Sequence, residues 1–133
     1  MATKVLDSWA LIAFFEDEPA ADAVEKILEQ ANAEKHKLLM SVVNWGEVYY
    51  NTARKVSAAA AEQRLQEIAS IPIEVVGVDQ HLAKLAAHYK ATRKMSYADC
   101  FGAALAKFKN AEFVTGDLEF EEVEKEIKIH WLK

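Results

Sequence analysis

A chain of 133 residues has the size of one ordinary domain, and 52% of it is apolar, which supports a core and excludes a disordered segment. The formal net charge of −5 and the pI of about 5.4 exclude a protein that holds nucleic acid mainly by charge. They leave open one that handles it briefly, through a local basic rim and a bound metal.

Cys100 is the single cysteine, so no internal disulfide is possible, and a reducing, cytoplasmic setting fits. The one early apolar stretch is interrupted by Asp7, so no leader peptide is expected. No run approaches the ~20 apolar residues of a membrane helix. With no linker, repeat or low-complexity segment in view, residues 1–133 are expected to form one domain.

In chain order, Lys4–Leu6 reads as a short buried strand, and Asp7 or Ser8 caps a helix through about Phe15. Pro19 fits the first turn of a second helix, Ala20 to about Lys35, whose apolar residues recur at helical spacing. Leu38–Ser41 is a second strand. Two helices follow, Val42–Lys55 and Ser57–Ser70, the latter opening on a run of alanines. Ile73–Val78 is β-branched and forms a third strand. Asp79 caps one helix, and Ser96 caps another that runs to about Lys109. Glu112–Thr115 and Lys128–Leu132 complete the set as strands four and five. Strands separated by helices imply right-handed crossovers and a mostly parallel sheet covered on both faces. In such sheets the working site lies beyond the carboxyl ends of the strands, where Asp7 and Asp117 fall.

Four acids stand where apolar runs stop or apolar helix faces open: Asp7 in KVLDSWALIAFF, Glu47 in SVVNWGEVYY, Asp99 in SYADCFGAALA and Asp117 in EFVTGDLEF. A carboxylate beside a core is costly unless it is hydrogen-bonded, protonated or bound to a cation. Each also has a plainer reading. Asp7 suits a helix N-cap, although Ser8 would cap equally well and free Asp7 to act as a ligand. Glu47 shares a stripe with Asn44 and Asn51 that suits a solvated helix face, yet its long side chain would reach the strand ends. Asp99 suits a first turn facing the helix dipole. It also shares a face with Gly102, Ala103 and Ala106, small residues that signal close packing and hence burial. Asp117 suits a Gly-Asp turn, or it points with Thr115 into the crevice. Taken jointly, the four favour one shared pocket for a hard divalent cation.

Oxygen donors select Mg²⁺ or Mn²⁺ over zinc. None of His36, His81, His88 and His130 lies beside the acids, and Cys100 has no partner motif and reads as a small core residue. Glu119, Glu121, Glu122, Glu124 and Glu126 read as a charged helical surface, with Glu121 a candidate outer ligand. Arg93 and Lys94 read as solvated surface or as a basic rim that meets phosphate. Trp9, Trp45 and Tyr50 suit core or interface positions, and would also stack bases.

At these residues the chain resembles a PIN-domain ribonuclease, in particular a VapC-type toxin of a toxin–antitoxin pair. The likeness runs nearly end to end and rests on the four acidic segments in this order and spacing. It implies a three-layer α/β/α sandwich with a central, mostly parallel sheet of about five strands. It maps a catalytic and metal-binding quartet onto Asp7, Glu47, Asp99 and Asp117, with Ser8, Asn44 and Thr115 in support. It further implies Mg²⁺- or Mn²⁺-dependent hydrolysis of RNA, a homodimer, and silencing by an antitoxin protein. Trp9 departs from the small residue usual at its position in that family.

The resemblance further implies in-line attack on a phosphodiester, with the cation neutralising developing charge. Rival readings are a phospho-aspartate hydrolase, a binding module that keeps the pocket without catalysis, and a free-standing processing nuclease without an antitoxin. The first usually wants a second aspartate two residues after Asp7, where this chain has Trp9.

Overall fold

A computed structural model describes residues 2–133. Five strands form one sheet in the order β3-β2-β1-β4-β5: β1 Ala2–Leu6, β2 His36–Ser41, β3 Ile73–Val76, β4 Glu112–Thr115 and β5 Ile129–Trp131. Every neighbouring pair is parallel, which is the expected sandwich sheet. The helices are α1 Ser8–Phe15, α2 Ala21–Asn32, α3 Val42–Lys55, α4 Ala58–Ala69, α5 Gln80–Thr92 and α6 Tyr97–Phe108.

Successive side chains of a strand point to opposite faces, and the core divides accordingly. Val5, Leu39 and Phe113 face one apolar cluster with α5 and α6 residues such as Leu82, Ala86 and Leu105. Leu6, Leu38, Met40 and Val114 face the other, with Leu11, Val24, Ile27 and Ile68 from α1, α2 and α4. Strands buried on both sides read as continuous apolar runs, as KVL, LLM and FVT do here. Helix α3 crosses the carboxyl edge of the sheet, since Val43 packs with the first cluster and Val48 with the second. That crossing carries Glu47 over the strand ends.

Several element ends differ from the sequence expectation, each for a local reason. β1 and β2 start earlier, because Ala2 pairs with His36 and Thr3 with Lys37. β3 stops at Val76, its partner position being Ser41, the last residue of β2. α2 ends at Asn32, where Glu34 takes a left-handed φ of 58° and the amide of Lys35 bonds back to the carbonyl of Gln30. The glutamate-rich stretch after β4 is a short 3₁₀ segment, Leu118–Val123, in place of a helical surface.

The close approach expected of α6 is present at Gly102. A Cβ there would stand 2.9 Å from Asn44 Oδ1 on α3 and 3.1 Å from the Phe113 ring on β4. Gly102→Ala gains about 1 kcal/mol of helix propensity but overpacks the contact at a cost of about 1–3 kcal/mol. A lower melting temperature is therefore expected. A rise on thermal denaturation would show that α3 and α6 are not locked at this point.

Candidate active site

The site forms where the strand order reverses. From β1 the chain steps outward to β2 and then β3, while β4 and β5 lie on its other side, so a crevice opens between the carboxyl ends of β1 and β4. Leu6 is in register with Val114, which sets Asp7 beside Thr115. The Thr115 hydroxyl donates to Asp7 Oδ2 at 2.6 Å and accepts from the amide of Asp117 at 3.0 Å. One buried threonine thus ties the first acid to the last.

Asp7 is the N-cap of α1, its Oδ1 accepting from the amide of Ala10 at 2.9 Å. Of the two readings set out above for Asp7, the cap is the one the structure shows. A carboxylate has about four acceptor positions, so one cap bond does not exhaust it. Ser8 does not cap, and its hydroxyl instead donates to Glu47 Oε1 at 2.9 Å. Asn44 Nδ2 donates to the same oxygen at 2.8 Å and to the carbonyl of Ala98 at 3.1 Å. Two acceptors on one side settle the orientation of that amide, and its Oδ1, buried against Gly102, has no partner. Glu47 is thereby held by one oxygen, while Oε2 meets only the Tyr50 hydroxyl at 3.4 Å.

Asp99 lies in the first turn of α6, its amide capped by Ser96. Asp117 caps the 3₁₀ segment through the amide of Glu119 at 3.0 Å. Carboxylate oxygens of Asp99, Asp117 and Glu119 lie within 4.8 Å of one another. Glu119 was read from the sequence as solvated surface, and that expectation is corrected. The 3₁₀ turn that Asp117 starts brings Glu119 back over α6, where it also accepts from the amide of Ser96 at 2.6 Å. Its spacing from Asp117, two residues on, was the one available signal. Glu121, weighed as an outer ligand, is not in this group. Arg93 is engaged elsewhere, paired with Glu126 and stacked on Tyr89. Lys94 is exposed, its backbone amide bonded to Glu122.

The electrostatics follow from crowding. Burial raises the carboxyl of Asp7 to about 7, against the bonds from Thr115 and Ala10, with Asp117 and Glu47 adding repulsion. Burial raises Asp99 to about 8, reinforced by Glu119 and then by Asp117 and Glu47. Acids held near neutrality by their neighbours want either protons or a cation. Clustered oxygen donors with nitrogen and sulfur absent suit a hard divalent ion. The oxygens that lie together, from Asp99, Asp117 and Glu119, therefore fit a hard divalent cation, and neither Asp7 nor Glu47 is in that group.

This generates a pH dependence of definite sign. Between about pH 4 and pH 8 an unfolded chain has released these two protons while the fold retains them, so metal-free stability falls across that window. EDTA-treated protein should melt at lower temperature at pH 8 than at pH 5.5, with a smaller difference in Asp99→Asn. Mn²⁺ at 100 times its Kd should add about 2.7 kcal/mol at pH 8 and less at pH 5.5. Melting curves that ignore both pH and Mn²⁺ would refute the site.

The sequence matches the PIN domain family over residues 4–126. Among proteins of curated function, none matches it. Solved structures share the fold at low identity. The VapBC2 complex of Rickettsia felis bound to a promoter DNA fragment gives a TM-score of 0.76 at 15% identity, covering 98% of this chain and 99% of that one. The DNA-bound VapBC of Salmonella typhimurium gives 0.74 at 19%, covering 98% of each. VapC20 of Mycobacterium tuberculosis, a sarcin–ricin loop cleaving toxin, gives 0.70 at 16%, covering 89% of this chain and 92% of that one.

Proposed function

The chain belongs to the PIN-domain family, and from that premise we propose that it is an Mg²⁺- or Mn²⁺-dependent endoribonuclease, the toxin of a toxin–antitoxin pair. The observation that carries the reading is the convergence of Asp7, Glu47, Asp99 and Asp117 on one crevice, with two of them raised toward neutrality.

Asp7, Asp99 and Asp117 would hold the cation, with Glu47 and Glu119 beside them. When bound, the cation supplies the positive charge that a phosphodiester transition state needs and acidifies a water. The chain's own groups do the positioning. Thr115 fixes Asp7 and the backbone of Asp117 together, so the two strand ends cannot drift apart. Ser8 and Asn44 hold Glu47 Oε1, which leaves Oε2 to orient a water and take up its proton. In-line attack by that water on phosphorus would then break the bond to the 3′ oxygen, which leaves with a proton drawn from solvent, giving a 3′-hydroxyl and a 5′-phosphate.

The antitoxin partner is supported by chemistry as well as by likeness. A pocket of several carboxylates accepts an arginine as readily as a cation, through bidentate hydrogen bonds. The Rickettsia and Salmonella structures are themselves complexes of the VapBC type. A homodimer in a cytoplasmic setting completes the proposal. No helix among the described residues is long and apolar enough to cross a membrane.

The test is cleavage of end-labelled single-stranded RNA with Mn²⁺, Mg²⁺ or EDTA. Wild-type protein should cut only with metal. Asp7→Asn and Asp99→Asn should each lose roughly a thousandfold in rate, the worth of several kcal/mol of charge stabilisation. Full activity of either folded variant, or undiminished cutting in EDTA, would overturn the assignment.

A further inference from the structure

Gly116 sits between Thr115 and Asp117 on the wall of the crevice. Built with a Cβ, it would collide with Cη2, Cζ3 and Cζ2 of Trp9, so the benzo edge of the indole rests directly on this backbone. Trp9 itself follows Asp7 and Ser8, which hold the opposite wall. The indole therefore rests on the end of β4 while its backbone belongs to the helix that leaves β1.

Trp9 is partly buried against the α1–α2 cluster, yet no hydrogen bond engages its Nε1 among the described residues, and that nitrogen is not among the buried unpartnered atoms. Its benzo edge is packed on Gly116, next to Thr115 and Asp117, while the residue as a whole stays partly exposed. An indole placed so has a π-surface and an N–H donor to offer a ligand, the combination that favours Trp in sites that are half apolar and half wet.

The charge of the site narrows the ligand. The pocket is acidic, the chain carries −5 overall, and Arg93 is already paired with Glu126. Attraction of an RNA backbone to fixed positive charge is therefore weak here. Stacking of a base on an aromatic ring does not depend on the sign of the protein's charge.

We propose that Trp9, seated on Gly116, is a stacking platform for an unpaired nucleobase next to the scissile phosphate of single-stranded RNA, and so sets which base is tolerated there. The inference rests on the nuclease reading above. Trp9 is a positioning residue, distinct from the acids.

The experiment is steady-state cleavage of RNA oligonucleotides that vary one base around the cut, by wild type, Trp9→Leu, Trp9→Phe and Gly116→Ala. Leucine preserves apolar volume without a ring. The added methyl in Gly116→Ala displaces the indole while leaving it in the chain. Trp9→Leu and Gly116→Ala should raise KM by about 5- to 150-fold, with kcat within a few-fold, and should flatten base preference. Trp9→Phe should retain most of both. Unchanged KM and unchanged base preference in Trp9→Leu would overturn the inference, as would a loss confined to kcat, which would leave the indole a wall support. Failure of the wild type to cut any single-stranded RNA would instead fell the nuclease reading itself.

Discussion

The site depends on one short hydrogen bond, from the hydroxyl of Thr115 to the carboxylate of Asp7. It closes the gap between β1 and β4 at the point where a doubly wound sheet must open. Without that hydroxyl, buried Asp7 Oδ2 and the part-buried amide of Asp117 would both lose a partner, and the buried loss alone is worth about 1–3 kcal/mol. Because the same oxygen of Thr115 accepts from Asp117, the strand pairing that stabilises the fold also sets the spacing of two acids. Packing and chemistry share these atoms.

The other acids are placed by comparable economy of local structure. Asp7 and Asp117 cap helical segments, and Asp99 lies in a first turn. Each thus faces the positive end of a helix dipole, which offsets part of the repulsion among them. Glu47 differs in being mid-helix, and it needs Ser8 and Asn44 to hold it. Asn44 is in turn pinned by the carbonyl of Ala98, one residue before Asp99, so α3 and α6 are aligned by the group that positions the glutamate. The absent side chain of Gly102 permits that approach.

The sheet and its helices were legible because burial on both faces leaves apolar strands, and because Asp79 and Ser96 announce helix starts. The ends of β3 and α2 were not, since strand pairing and a left-handed Glu34 are decided by partners distant in sequence or by backbone strain. Asp7 and Asp117 could be placed from their position after strands. Glu119 was harder to place, because among neighbouring glutamates only its spacing from Asp117 set it apart. Only the tight 3₁₀ turn, which needs Asp117 as its cap, aims it inward. Arg93 carried two readings, solvated surface or a basic rim, and its ion pair was not legible. A cation near an acidic motif resembles a phosphate contact until its own partner, Glu126, is located.

A crevice built from five carboxylates on an acidic chain poses a problem of affinity. Its charge repels the phosphate it would have to admit, and Coulomb repulsion between unit charges at 4 Å is still about 1 kcal/mol in water and more where water is excluded. A divalent cation reverses that sign locally, but only at the reacting phosphate and within about a Debye length of 8–10 Å. Grip on the rest of the strand must come from groups indifferent to charge. Trp9 on Gly116 lies at that boundary, adjacent to the carboxylates yet engaging through its ring. On the proposed reading, an acidic field of this kind would disfavour a highly charged duplex and leave unpaired bases as the part of a strand able to bind without regard to charge.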